Sequence, residues 1–423
     1  MSPGLTIFGA TLTLAKSYRR GTHRACSPAT TVERFRPLGE RIGMTRLANV
    51  TGLDVIGLPV WVAIRPNARG LSTSQGKGLT HDAARASALM ESIETWHAET
   101  IERPVVIESA AALGRRTAIV EIDRLSHYAD SLPRADAPIP WIEGYDLIQH
   151  RPCWVPFECV STNYVVSARR AAETTFVQSS NGLAGGNHVL EATAHALAEL
   201  IERDAIAGHA AALRRLDPAL RVDVSTIDDD DCRTVLDRLA QVGITAALFD
   251  LTSDLAVPVY ACSIVDADAT LRWRTLPVFS GYGCHPTPAV AVLRSVTEAV
   301  QSRLTYISGS RDDISATEYA RGGNAEDLQS FRTRLAASPP SQKFGGRADL
   351  ATASFDGDIE MMLERLRGAG IGNVVAVDLS RADAGVPVVK LVVPGLAAPA
   401  PMIRGRQIAS PGRAGSTALA EAA

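Results

Sequence analysis

The residues of this chain best suited to chemistry are two Glu-x-x-Glu pairs. Residues 87–94 read Ser-Ala-Leu-Met-Glu-Ser-Ile-Glu, and residues 195–202 read His-Ala-Leu-Ala-Glu-Leu-Ile-Glu. Residues three and four apart share a helix face. Ser87, Glu91 and Glu94 therefore form one stripe; His195, Glu199 and Glu202 form another, with Glu191 one turn upstream. Ala88, Leu89, Ile93, Ala196, Leu197, Leu200 and Ile201 wrap most of both helices in apolar surface, whereas a surface helix shows one apolar stripe and a wide polar face. Carboxylates on helices this apolar are costly to bury unless a cation lies between them. Magnesium carrying the phosphates of a nucleotide answers that need, because it takes hard oxygen ligands and keeps phosphate among them. One such helix alone reads equally well as a solvated face, since Glu is a good helix former; the duplication favours a shared metal site.

The elements that must position these residues are two helices, at about 82–100 and about 189–210, each preceded by a glycine-containing loop. The loops are Ser74-Gln75-Gly76-Lys77-Gly78 and Ser179-Ser180-Asn181-Gly182-Leu183-Ala184-Gly185-Gly186-Asn187. A glycine-rich loop before a helix offers backbone N–H groups and a dipole to phosphate. Neither loop has the P-loop spacing, and neither is a G-x-G-x-x-G fingerprint. A third helix, at about 288–305, repeats the pattern in weaker form. It reads Thr297-Glu298-Ala299-Val300-Gln301-Ser302-Arg303, with Gln301 where the second carboxylate would stand.

A second repeat runs through Val235–Leu239, Gly243-Ile244, Asp250-Leu251 and Val257–Val259, and again through Met362–Leu366, Gly370-Ile371, Asp378-Leu379 and Val386–Val388. Each copy predicts a helix, a glycine stop and two strands, so the chain reads as an α+β or α/β body built by duplication, with α+β and mixed sheets the expected class. Residues 1–70 read as short strands and loops, 103–175 as strands with a short helix, and 308–350 as a loop with a short helix. The boundaries expected are one domain over 1–400 and a flexible tail over 401–423.

Arginine is the usual fork for phosphate oxygens. Arg203, Arg303 and Arg311 each stand at or just past the end of one of these helices, where a charge complementing the helix dipole is the plainer reading for each alone. The histidines have no metal spacing, and no nucleophile elbow supports Ser-His-Asp chemistry. Composition excludes other classes. Net charge is −3, which gives no electrostatic case for nucleic acid or an anionic membrane. No apolar run is long enough to span a bilayer, and the opening Met-Ser-Pro-Gly-Leu-Thr-Ile-Phe lacks signal-peptide character. The scattered cysteines Cys26, Cys153, Cys159, Cys232, Cys262 and Cys284 read as reduced thiols of a cytoplasmic protein.

Taken in order, Lys77, Ser87–Glu94, Ser180–Asn187, Glu199-Leu200-Ile201-Glu202-Arg203-Asp204, Thr297–Arg303 and Gly309-Ser310-Arg311-Asp312-Asp313 resemble the YcaO family, over about residues 20 to 395. The resemblance implies a fold of the family's own, with an ATP site that is not a P-loop, and activation of a peptide or protein backbone amide by O-phosphorylation. It implies that Glu91, Glu94, Glu191, Glu199 and Glu202 hold Mg2+ and the phosphates of ATP. Ser87, Asn181, Arg203 and Arg303 would contact the nucleotide, as would Lys77, Asn187, Arg24 and Arg311; Arg203 and Arg303 would also stabilise the transferring charge.

A Cys, Ser or Thr side chain as nucleophile gives an azoline, sulfide a thioamide, and an amine an amidine. Azoline-forming members commonly end in a Pro-x-Pro-x-Pro tail; here only Pro399-Ala400-Pro401 hints at it, and Thr95 replaces an arginine that often follows the first Glu-x-x-Glu. Arg20–Arg24, Ile93–Glu99 and Val393-Pro394-Gly395-Leu396 are more similar to the branch associated with TfuA proteins and thioamide formation. The expectation is thioamidation, with azoline formation or a non-catalytic scaffold as the alternatives. A homodimer and a separate TfuA-type or leader-recognition partner are also expected.

Overall fold

A computed structural model describes residues 4–165, 174–268, 276–317, 319, 324–397, 402–403 and 406–412. Among these are eight helices: α1 (Pro28–Arg41), α2 (His81–Glu99), α3 (Ala110–Leu113), α4 (Val189–Arg215), α5 (Asp230–Gln241), α6 (Pro288–Ser308), α7 (Ala325–Ala336) and α8 (Phe355–Gly368). The architecture is α+β with mixed sheets, as expected.

The two-copy pattern is visible in space. Helix α5 leads into the antiparallel pair Ile244–Asp250 and Val259–Asp266. Helix α8 leads into the antiparallel pair Val375–Asp378 and Val388–Val392. Each pair takes a third antiparallel strand on the same side, Phe279–Cys284 for the first and Leu183–Gly185 for the second. Each of those added strands then feeds an acidic helix, α6 and α4 respectively. A three-stranded meander, Arg46–Asn49, Val60–Ile64 and Thr73–Lys77, feeds α2 in the same way.

Strand alternation decides how the layers stack. Val375, Val377, Val388 and Val392 join α1 and α2 in one core, whereas Ala376, Val389 and Leu391 join α4 and α8 in another. In the other large sheet, Ala247 and Phe249 face the α4 core, while Leu248, Tyr260 and Cys262 face α5 and α6. Successive side chains of a strand point to opposite faces, so α4 is held between the two sheets. Strands covered on both faces are read in the sequence as unbroken apolar runs. Such runs are Ala246–Phe249 and Val388–Val393 (with one lysine).

Helix α1 departs from the strand-and-loop expectation for residues 1–70. Ser27 caps it by accepting from the Thr30 amide, and Pro28 occupies the first turn. Thr30-Thr31-Val32 and Pro37 argue locally against a helix; burial of Val32, Phe35 and Leu38 against α2 overrides them. In the stretch expected to be a tail, Met402–Ile403 pairs with Arg406–Ala409, which pairs with His127–Tyr128. Pro399, Ala400, Pro401 and residues 413–423 lie outside the described residues. No described helix is long and apolar enough to cross a membrane.

Candidate active site

Helices α2, α4 and α6 bring their polar stripes together. Thr80 caps α2 by accepting from the Ala83 amide, and His188 caps α4 by accepting from the Leu190 amide. The glycine-containing segments serve the carboxylates instead. Gly76 lies flat on α2, where a Cβ would collide with the Ala84 carbonyl and the Ala88 amide. That approach lets the Gln75 amide donate to Glu91 Oε2 at 3.3 Å. The Gly185 amide donates to Glu94 Oε1 at 2.7 Å and the Gly182 amide to Glu199 Oε2 at 3.2 Å. The amides of Ala25 and Asn187 both donate to Glu191 Oε2. The expectation that these amides are offered to phosphate is therefore corrected: each fixes the orientation of one carboxylate.

Cationic groups stand among the acids. Arg203 lies 3.5 Å from Glu199 and 3.9 Å from Glu202. Lys77 Nζ donates to Glu298 Oε2 at 2.9 Å, and Arg24 lies 3.7 Å from Glu191. Arg311 pairs with Asp313, and its charge also reaches Glu91. Ser87 sits one turn before Glu91, half-buried, and Asn181 is half-buried beside Gly182. Asn187 donates to Thr31, and its buried Oδ1 has no partner.

The electrostatics are those of acids lacking counter-charge. Burial pushes the Glu94 carboxyl up to about 8, with Glu91 and Glu199 adding to the effect. Burial pushes Glu91 up to about 7, against the pull of Lys77 and the Gln75 amide. Glu202 is pushed up to about 7 by burial and then by Glu298. Burial also works to raise Glu298, but Lys77 and Arg203 outweigh it and hold Glu298 below the usual carboxylate range. Glu202 Oε2, Arg203 Nε and Arg294 Nε are buried without partners. Among the described residues, no three His, Cys, Asp or Glu side chains converge closely enough to chelate a metal unaided. This donor set fits Mg2+ that arrives with phosphate oxygens as further ligands, and the unpartnered arginine nitrogens fit those oxygens.

The family model described as YcaO cyclodehydratase, ATP- and Mg2+-binding, matches residues 75–397, a span that contains all three acidic helices. The chain belongs to the YcaO family. This YcaO chain is 35% identical over 382 residues to a protein of the tfuA 3′ region of Rhizobium leguminosarum bv. trifolii, covering 88% of each. It is 36% identical over 379 residues to a Methanothermobacter thermautotrophicus protein, covering 88% of this chain and 94% of that one. The structure of YcaO from Methanopyrus kandleri bound with AMPPCP and Mg2+ matches with a TM-score of 0.69 and 25% identity, over 90% of this chain and 94% of that one. A heterocyclase in complex with substrate and cofactor has the same fold, with a TM-score of 0.76 at 21% identity; the match covers 93% of this chain but only 55% of that one.

Within the YcaO site, one expected residue is misplaced. Arg303 is fully buried and forked between Asp54 (Nε to Oδ2, 2.8 Å) and Asp266 (Nη1 to Oδ2, 3.1 Å). The guanidinium closes an ion triad and has no access to a nucleotide. At 3.6 residues per turn, five positions from Glu298 carry Arg303 about 140° around α6, onto its other face. Two residues not assigned from the sequence stand on the right face. Glu298 contacts Lys77, and Arg294, one turn before it, acts electrostatically on Glu202 and Glu298. Their i, i+4 spacing, with Glu298 at the phase of Glu91 and Glu199, is the signal that could have found them.

Proposed function

We propose that this protein uses ATP and Mg2+ to activate a backbone amide of a peptide or protein, and that sulfide replaces the amide oxygen to leave a thioamide. The observation carrying the ATP reading is the set of carboxyls on α2 and α4 that burial pushes up, with the unpartnered nitrogens of Arg203 and of Arg294 on α6 as their cationic company. The choice of sulfide is supported by the 35%-identical relative of the tfuA 3′ region.

Glu91, Glu94, Glu199 and Glu202, with Glu191 and Glu298 at the margins, would hold the metal. Bound Mg2+ supplies charge neutralisation at the phosphate oxygens. Lys77, Arg24, Arg203, Arg294 and Arg311 complement the phosphate charge, and Ser87, Asn181 and Asn187 contact the nucleotide. Sulfide adds to the amide carbon, the oxyanion takes the γ-phosphoryl group of ATP and ADP departs. Phosphate then leaves with the former carbonyl oxygen as the C–O bond breaks, the S–H proton is released, and the C=S bond of the thioamide forms. Arg203 and Arg294 are placed to stabilise the transferring charge, which is the main demand of phosphoryl transfer. Residues 1–400 act as one catalytic unit, in a cytoplasmic homodimer that receives its substrate or sulfur through a TfuA-type or leader-recognition partner.

Isothermal titration with a non-hydrolysable ATP analogue, with and without Mg2+, tests the site. Mg2+-dependent binding that Glu199→Gln abolishes supports it, and binding unaffected by that change removes it. Co-expression with a TfuA-type partner and a candidate peptide tests the product. A mass gain from oxygen-to-sulfur exchange supports thioamidation, whereas loss of one water points to azoline formation.

A further inference from the structure

A lysine interrupts the apolar strand Val388-Val389-Lys390-Leu391-Val392. It is 2% exposed, and by strand alternation it faces the side of Val388 and Val392, which pack in the core containing Met90 and Ile93 of α2. An ammonium in such a core is expensive unless its donors are satisfied. Lys390 Nζ donates to the Ser179 carbonyl at 2.5 Å and to the Asn181 carbonyl at 2.7 Å. Burial lowers its pKa to about 8, and the nearby Glu199 charge opposes that fall.

Both carbonyls belong to one turn, and that turn orients the site. Its next residue, Gly182, has φ +77°, a region that favours glycine, and its amide donates to Glu199. The Gly182 carbonyl is held by the Leu391 amide at 2.8 Å, the neighbour of Lys390 on the strand. Lys390 and Leu391 thus grip the turn from 179 to 182 at three carbonyls, leaving the Gly182 amide directed at the carboxylate.

We infer that Lys390 is a positioning residue for the metal–nucleotide site: by clamping the Ser179–Gly182 turn, it sets the orientation of Glu199 and the placement of Asn181. The inference rests on the ATP and Mg2+ reading above. Loss of a group that orients a metal ligand costs roughly 10–100-fold in metal affinity, so the effect is expected in the Mg2+ requirement more than in the fold.

The test titrates Mg2+ into the full chain at saturating AMPPNP, for the parent, Lys390→Met, Lys390→Gln and Lys390→Arg. The Mg2+ midpoint should rise by about tenfold or more in the Met and Gln variants and be largely restored by Arg, which keeps the charge and the donors. A parent-like midpoint in a folded Met or Gln variant overturns the proposal. If the parent itself binds no Mg2+ with AMPPNP, the ATP reading fails first, and the two failures are thereby told apart. Amide exchange on the parent covers the case in which neither variant folds. Protection of residues 180–185 without nucleotide is expected, and rapid exchange there overturns the clamp.

Discussion

Lys77, on the last residue of the strand Thr73–Lys77, donates to Glu298 on α6 at 2.9 Å across 221 positions of sequence. This contact joins the first acidic unit to the third, and it makes Glu298 ionised while Glu202 beside it is pushed towards its neutral form. Glu298→Gln should therefore do more than remove one negative charge. It should free Lys77 and lower the Glu202 pKa. Mg2+-dependent nucleotide binding is expected to weaken by roughly tenfold or more, read by titration calorimetry.

The pH dependence of binding follows from the same groups. Glu91, Glu94 and Glu202 are pushed up to about 7, 8 and 7, so without a cation they hold protons near neutrality. A cation competes with those protons. Affinity for Mg2+ with AMPPNP should rise from pH 6 to pH 8.5, with net proton release. Calorimetry in buffers of different ionisation enthalpy reads the release directly; uptake of protons would contradict this electrostatic description.

The ligand-free protein should show the opposite trend in stability. A carboxyl raised in the folded state binds more protons folded than unfolded between its two pKa values, so stability falls as pH rises across that window. For Glu94 the window runs from the ordinary 4.5 to about 8. Gln mimics the protonated acid, so Glu94→Gln should match the parent below the window and exceed it in melting temperature above pH 8. Equal melting temperatures at pH 8.5 would argue against a buried, uncompensated Glu94.

Arg303 should behave as a stability residue. Removing one partner of a buried ion cluster costs about 3–5 kcal/mol, because the remaining charge is left without compensation. Arg303→Met strands both Asp54 and Asp266. Urea unfolding should show a loss of that size, with nucleotide affinity per folded molecule close to the parent's. Arg203→Met should do the reverse, losing ATP hydrolysis with little change in the unfolding midpoint.

Cys153, Cys159 and Cys262 are poor sulfur carriers. All six cysteines are free, and burial pushes Cys153 and Cys262 up to about 12 and Cys159 higher still. Thiolate is the reactive form. Cys153→Ala and Cys159→Ala should therefore leave ATP hydrolysis close to that of the parent. A large loss in either would identify a thiol that handles sulfur.

Local rules determined the two acidic stripes. Glu91 with Glu94 and Glu199 with Glu202 must share a helix face whatever surrounds them. The paired helix–strand–strand copies were likewise legible, because a repeated pattern of periodicities needs no long-range contact to be seen. Helix α1 was not, since its local signals oppose its state and only packing on α2 settles it. Tertiary structure alone decided that α6 supplies Arg294 and Glu298 while turning Arg303 towards Asp54 and Asp266. It alone also set the amides of Gly182 and Gly185 on Glu199 and Glu94, and the ammonium of Lys390 beneath the turn. Those relationships join residues up to about 250 positions apart through sheet pairing, and pairing is fixed by the joint burial of distant apolar faces, which no local period encodes.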